Sequence, residues 1–216
     1  YDDVLVATLN ALLSIDRNET EKALLQMLNS PKNAVKTTAL KGLAEIGSAQ
    51  AIDTFLSLTR DPEPSIRAIC IEALSYLEYA ERPEIYLDAI DDPDEKVMVS
   101  SFKAIGKLRI VKAFPYMLRF LSDENEWIRY QVLHCLGELH LDEFVPHLIE
   151  LYFRGSHQDK LEVLNVASKY HLNWDAYKLI QQASEEDDPE IREIAGEILF
   201  QNQEFYENLS QEDDNR

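Results

Sequence analysis

Glycine is scarce in this chain, cysteine scarcer still, and cations are heavily outnumbered. Six glycines in 216 residues form neither a glycine-rich phosphate loop nor a nucleophile elbow, which excludes the simplest nucleotide-binding and hydrolase signatures. With eight prolines and no Ser/Gly-rich or Pro-rich run, no segment reads as a flexible linker, so residues 1–216 are read as one unit without an internal boundary. No stretch approaches the roughly 20 apolar residues of a membrane span, and no signal-peptide pattern opens the chain. A soluble, cytoplasmic domain that does not insert into a membrane is therefore expected.

Lys and Arg number 21 against 40 Asp and Glu, for a net charge of −19. Nucleic acid and anionic membranes are bound mainly through Lys/Arg contacts to phosphate, so both are disfavoured as partners. The charge is uneven: residues 185–216 hold twelve acids and two bases, an acidic C-terminal end compatible with a basic protein partner or with plain solubility. Five histidines (His134, His140, His147, His157, His171) show no His-x-x-x-His spacing and none precedes a glutamate; the two cysteines form no Cys-x-x-Cys. No catalytic, metal-binding or cofactor-binding residue is assigned, and no cofactor is expected.

What the chain does contain is a repeat. Position one recurs at Val4, Val35, Ile66, Val97, Ile128, Asp159 and Ile191, a step of 31 residues lengthened by one only at the end. Position five is small or nearly so (Thr8, Ala39, Cys70, Ser101, Val132, Val163, Ala195), and position nine is mostly larger and apolar (Leu12, Leu43, Leu74, Ile105, Leu136, Ala167, Leu199). A period in this range marks a solenoid of stacked units. Cys70 at position five and Cys135 at position eight then read as reduced core thiols acting as small hydrophobes, which fits a reducing compartment.

Each repeat parses into two helices. The second, B, carries an apolar stripe at positions one, five, eight, nine and twelve, the 3.6-residue period of an amphipathic helix. B helices are expected near 3–15, 35–46, 65–77, 96–108, 127–139, 159–170 and 189–200. A helices are expected near 20–29, 49–59, 82–90, 112–121, 143–153, 174–183 and 203–209. Between them stand Ser30-Pro31, Asp61-Pro62, Asp92-Pro93, Asp123-Glu124 and Asp188-Pro189, where proline stops one helix and acids favour the start of the next. Ser65 is the expected N-cap of its helix. The first helix, 3–15, would present Val4, Leu9, Leu12 and Ile15 without a preceding layer, so an upstream domain or self-association through that face is expected.

The runs Asp61-Pro62-x-x-x-Ile66-Arg67-x-x-Cys70-x-x-Ala73-Leu74 and Asp123-x-x-x-Trp127-Ile128-Arg129-x-x-Val132-x-x-Cys135-Leu136-Gly137 resemble HEAT repeats. The short period and the Trp-Ile-Arg run are similar to the HEAT-like variety of phycobilin lyase subunits. The resemblance covers nearly the whole chain and implies an all-α, right-handed α/α superhelix, armadillo-like, with B helices on the concave surface. It implies little about activity. HEAT-like di-iron hydroxylases rely on His-Glu pairs absent here, and HEAT-like DNA glycosylases need a basic groove. Asp159, Met98 and the turn Arg154-Gly155-Ser156-His157 depart from the pattern; the sixth repeat, which holds Asp159 and follows that turn, is expected to be locally bent or specialised.

Positions seven (Asn10, Lys41, Glu72, Lys103, His134, Asn165, Glu197) and eleven (Ser14, Glu45, Tyr76, Lys107, Glu138, Lys169, Gln201) lie one turn apart on one helix face. Position three adds Val6, Thr37, Ala68, Val99, Tyr130, Leu161 and Glu193, either an exposed apolar strip or part of the core. Position two (Lys36, Arg67, Arg129, Lys160, Arg192) reads as structural pairing with Asp61, Asp92 and Asp123 in preference to an anion-binding ladder. Aromatics are concentrated late: only Tyr1 and Phe55 precede Tyr76. Trp and Tyr dominate interface hot spots. The expected function is a non-catalytic scaffold that binds a protein, a basic one included, or an amphipathic peptide through Tyr76, Val99, Lys103, Lys107, Trp127, Tyr130, His134, Glu138 and Leu161. The alternatives are a phycobilin-lyase-like subunit handling a tetrapyrrole and a structural spacer.

Overall fold

A computed structural model describes residues 16–170 and 172–203. The expected helix at 3–15, with its exposed apolar face, and nearly all of that expected at 203–209 lie outside the described residues. Among the described residues every regular element is helical. The chain divides into two compact units, one ending at Ala113 and one starting at Phe114.

The first unit contains α1 (Arg17–Met27), α2 (Asn33–Glu45), α3 (Ile52–Leu58), α4 (Pro64–Tyr76), α5 (Glu84–Ala89) and α6 (Glu95–Lys107). The three B helices α2, α4 and α6 are each 13 residues long and start 31 residues apart. They stack side by side, α2 on α4 and α4 on α6, with each A helix packed on its own B helix. Position five supplies the small contacts, Ala39, Cys70 and Ser101, all fully buried. Position nine supplies Leu43, Leu74 and Ile105, also fully buried. Phe55 and Tyr86 fill the core from the A helices. Each of the buried Leu, Ile and Phe side chains contributes on the order of 1.5–3 kcal/mol by leaving water. The buried Ser101 hydroxyl is satisfied by the Tyr86 carbonyl at 2.6 Å.

The second unit contains α7 (Phe114–Met117), α8 (Glu126–Glu138), α9 (Val145–Arg154), α10 (His157–Ala167), α11 (Trp174–Ala183) and α12 (Pro189–Gln201), with 3-10 turns at Leu118–Ser122, Asp142–Phe144 and Ser168–Tyr170. Here α8 packs on α10 and α10 on α12. Val132, Val163 and Ala195 repeat the small position, and Phe144, Leu148, Tyr152 and Ile180 fill the core from the A side.

The turns repeat as regularly as the helices. Asp61, Asp92 and Asp123 each accept, through Oδ1, the backbone N–H two residues on at 2.9 Å, the Asx turn that stops one helix and aims the next. Most of the B helices begin one or two residues earlier than the sequence pattern suggests. In α4 this displaces the expected cap. Pro64 occupies the first turn, Glu63 stands at the N-cap, and Ser65 donates its hydroxyl to the Glu63 carboxylate at 3.0 Å. Proline is favoured at the first helical position because the N–H it lacks would have no helical partner there, and it outcompetes the serine cap. At the other end, Gly47 (φ 64°), Glu78 (φ 55°), Arg109 (φ 50°) and His140 (φ 52°) all adopt the left-handed conformation, again 31 residues apart. The amides of Ser48, Tyr79 and Ile110 then reach back to the carbonyls of Leu43, Leu74 and Ile105 at 2.9–3.0 Å, closing Schellman motifs.

Position two is a structural ladder. Arg67 donates to the carbonyls of Asp61 (2.8 Å) and Pro62 (3.2 Å) and to both carboxylate oxygens of Asp92 (2.7 and 2.8 Å). It thus ties its own turn to the next one. Arg129 bonds the carbonyls of Asp123 and Glu124, and Arg192 those of Glu186 and Asp187. Of the expected carboxylate partners, Asp92 alone serves as one; Asp61 and Asp123 contribute backbone oxygens.

Candidate functional site

In the first unit the outward face of α4 and α6 brings three of the expected residues together. Tyr76 is 69% exposed, and the Lys107 ammonium sits 4.3 Å from its ring centroid, a cation–π contact worth about 0.5–1 kcal/mol at an exposed position. Lys103, one turn earlier on α6, is exposed beside it. Glu72, Ser75, Ser100 and Ala104 complete a cleft of about 150 Å³, in which Ser100 donates its hydroxyl to the Glu72 carboxylate at 2.8 Å. Val99 does not join them. It is only 4% exposed, so its place among the contact residues is corrected: at this repeat, position three is buried in the core.

In the second unit the expected residues fall into four environments. Trp127, 44% exposed, lies in the first turn of α8, where its backbone N–H is capped by Asn125 at 3.0 Å. Tyr130 is half-buried, and burial of its hydroxyl, together with the charges of Asp159 and Glu126, raises its pKa. His134 and Glu138 are engaged with the next helices: His134 Nε2 lies 3.0 Å from a Glu162 carboxylate oxygen, and Lys169 donates to Glu138. Leu161 is half-buried in a groove that the sequence did not single out.

That groove, about 610 Å³, runs between α10 and α12, within the range typical of ligand sites. Leu161, Ile194 and Ile198 supply its apolar surface. Gln158, Asn165, Gln201 and Asn202 supply amides, and Glu162 and Glu197 supply carboxylates. Glu197 and Asn165 were visible as position-seven residues and Gln201 as a position-eleven residue. The aromatic candidates Tyr76, Trp127 and Tyr130 lie in the repeats before this groove, and nothing in the linear pattern foretells the width of the gap.

No group of His, Cys, Asp and Glu able to hold a metal ion occurs among the described residues, and none of their helices is long and apolar enough to cross a membrane.

The family model of HEAT repeats matches residues 2–82 and again 83–165. No curated protein sequence matches. Among solved structures, a designed armadillo repeat protein is similar with a TM-score of 0.57 and 15% identity, covering 82% of this chain and 97% of the other. An engineered protein gives a TM-score of 0.61 at 15% identity, covering 90% of this chain and 60% of the other. A chain of the CpcE–CpcF complex of phycocyanin lyase from Nostoc sp. PCC7120 gives 0.53 at 12% identity, covering 90% and 84%. These likenesses establish an α-solenoid fold.

Proposed function

The chain belongs to the HEAT repeat family, and from that premise we propose that it is a non-catalytic interaction scaffold that binds a protein partner through the outward face of its B helices. One observation carries this reading: Tyr76 stands in solvent on that face with Lys107 stacked on its ring, an arrangement the core does not require. Tyrosine is among the residue types that concentrate binding energy at interfaces, while neighbouring charges such as Lys103 and Lys107 set orientation and on-rate. Trp127 offers a second aromatic, in the other unit.

Affinity capture from native lysate, comparing the wild-type chain with Tyr76→Ala and Trp127→Ala, tests the proposal. A specific protein retained by the wild type and lost from either variant, with helicity unchanged, supports it. Identical captures would move the function off this face.

A second reading, a subunit that handles a tetrapyrrole, draws support from the likeness to the phycocyanin lyase chain. An absorbing chromophore co-purifying from a bilin-producing host would favour it over the scaffold.

A further inference from the structure

We infer that the groove between α10 and α12 is the seat of a cationic amphipathic segment of a partner protein, with an apolar side chain against Leu161 and Ile194 and a Lys or Arg between Glu162 and Glu197. The inference rests on the B-helix face being the binding face and names the partner chemistry at one place on it.

Three features of the groove carry it. Among the described residues its lining holds two carboxylates and no cation, whereas the comparable cleft between α4 and α6 has two lysines. Its apolar surface is incompletely covered, since Leu161 and Ile194 are half-buried in a wide gap; the fold leaves there a surface that an apolar anchor could dehydrate. Finally, Glu162 is already oriented. One carboxylate oxygen is held by His134 at 3.0 Å and the other by Gln158 at 3.3 Å, and its side chain is 23% exposed, so little rotamer freedom remains to be lost on binding. Glu197 is exposed, with no ion pair among the described residues, and is free to meet a cation.

Charge complementarity selects the occupant. Residues 185–203 carry seven acids against one base, so the field around the groove attracts cations and repels acidic segments. Apolar positions at helical spacing with cations one turn away match the helix-in-groove mode of recognition, and the four amides along the rim can bond a polar backbone end or side chain.

The test uses fluorescence anisotropy with two labelled amphipathic peptides of about 18 residues, or five helical turns, one patterned from leucine and lysine and the other from leucine and glutamate. The lysine peptide should bind and the glutamate peptide should not. Glu162→Gln with Glu197→Gln should weaken binding of the lysine peptide about tenfold or more, the loss of two well-placed charge contacts, and Leu161→Ser should weaken it severalfold. Glu45→Gln with Glu81→Gln removes the same charge from the first unit, at residues that do not line the groove, and should leave affinity within about twofold, the difference expected of screened charges. Far-UV circular dichroism checks that each variant folds. Equal losses in the groove variant and the first-unit variant, or equal binding of the two peptides, would overturn the inference. Failure of the lysine peptide to bind while lysate capture still depends on Tyr76 or Trp127 overturns it too and leaves the scaffold function standing; failure of both removes both.

Discussion

Arg129 bonds the carboxylate of Asp159, Nη2 to Oδ1 at 3.1 Å, although Asp159 stands at the position that holds the buried aliphatics Ile66, Val97, Ile128 and Ile191 in other repeats. The two equivalent ties differ in the origin of the acid. Arg67 finds Asp92 in the following turn, but the turn following Arg129 is Arg154-Gly155-Ser156-His157 and contains no acid. Asp159 supplies the missing carboxylate from inside α10. There it also completes a capping box with Ser156 and remains only 4% exposed. Gly155 makes this possible, because a Cβ at that position would lie 2.6 Å from both the Asp159 Cβ and the Leu151 carbonyl. The departure of the sixth repeat from the pattern is therefore a relocation of one ion pair.

Asp159→Ile, which restores the aliphatic of the other repeats, should destabilise the protein, because it leaves the largely buried Arg129 with only the exposed Glu126 carboxylate at 3.6 Å. Removing one partner of such a pair costs about 3–5 kcal/mol when fully buried; with Arg129 14% exposed, a loss near the lower end is expected in urea unfolding. Arg129→Met added to Asp159→Ile should recover part of it. Burial works to raise the Asp159 pKa, but the Ser156 amide and hydroxyl and the Arg129 guanidinium outweigh it and hold the carboxyl below its ordinary value of 3.8. The stabilisation is therefore present above that value and lost as pH falls through the lower folded-state value. Asp159→Asn should flatten this acid limb of the stability profile.

Glu78, Arg109 and His140 take up the left-handed conformation that Gly47 adopts without a Cβ. Each non-glycine residue held there costs about 1–2 kcal/mol. Replacing each by Gly should stabilise by about 1 kcal/mol, less the entropy that glycine adds to the unfolded chain. Gly47→Ala should destabilise by a similar amount. Thermal midpoints of the four single variants decide the matter, and a Glu78→Gly midpoint below wild type would count against strain at this position.

How much of this was legible follows from which signals are local. The B helices repeat a side-chain pattern, so the all-α class and the register, from Val35 to Ile191, could be read directly. The C-terminal caps could not, because glycine marks only the first of the four described and Glu78, Arg109 and His140 are imposed by the repeat geometry. Ser65 looked like a cap until Pro64 took the first turn. Among the candidate contact residues, Tyr76, Lys103 and Lys107 share a cleft because their spacing places them on one face of adjacent helices. Val99 shares their helix but turns inward, a distinction that depends on how closely neighbouring helices pack. The α10–α12 groove was invisible for the same reason.

His157 clamps the start of α12 to the start of α10. Its Nε2 lies 3.0 Å from Glu190 and its Nδ1 3.1 Å from Asp188, and Asp188 also caps the amides of Glu190 and Ile191. The hydrogen bond to Glu190, followed by the charges of Asp188 and Glu190, raises the imidazole pKa above 6.5. A raised pKa means that the stabilisation is fully present below the unfolded value of 6.5 and is lost as pH rises through the folded value. His157→Gln should abolish this decline, measured as thermal midpoints across about pH 5 to 8, the range over which histidine changes charge. A wild-type midpoint that does not fall with rising pH relative to the variant would remove the clamp.

Cys70 and Cys135 should resist alkylation in the folded protein. Both are buried and free of disulfides, and burial, assisted by the charge of Asp61, raises the Cys70 pKa from 9.0 to about 12. The thiolate is the reactive species, and each pKa unit lowers its fraction tenfold, so Cys70 should react about a thousandfold more slowly than a free thiol at neutral pH even before access is considered. The Cys135 thiol packs against Met117, its sulfur 3.8 Å from the thioether. Each cysteine lies in a different unit, so peptide mapping after iodoacetamide treatment in increasing urea follows the opening of each unit separately. Protection of both thiols in buffer, with labelling only as urea exposes them, is the expected result. Rapid labelling of Cys70 in buffer would mean that α4 opens readily under native conditions, and that the tight contacts of position five do not hold that unit closed.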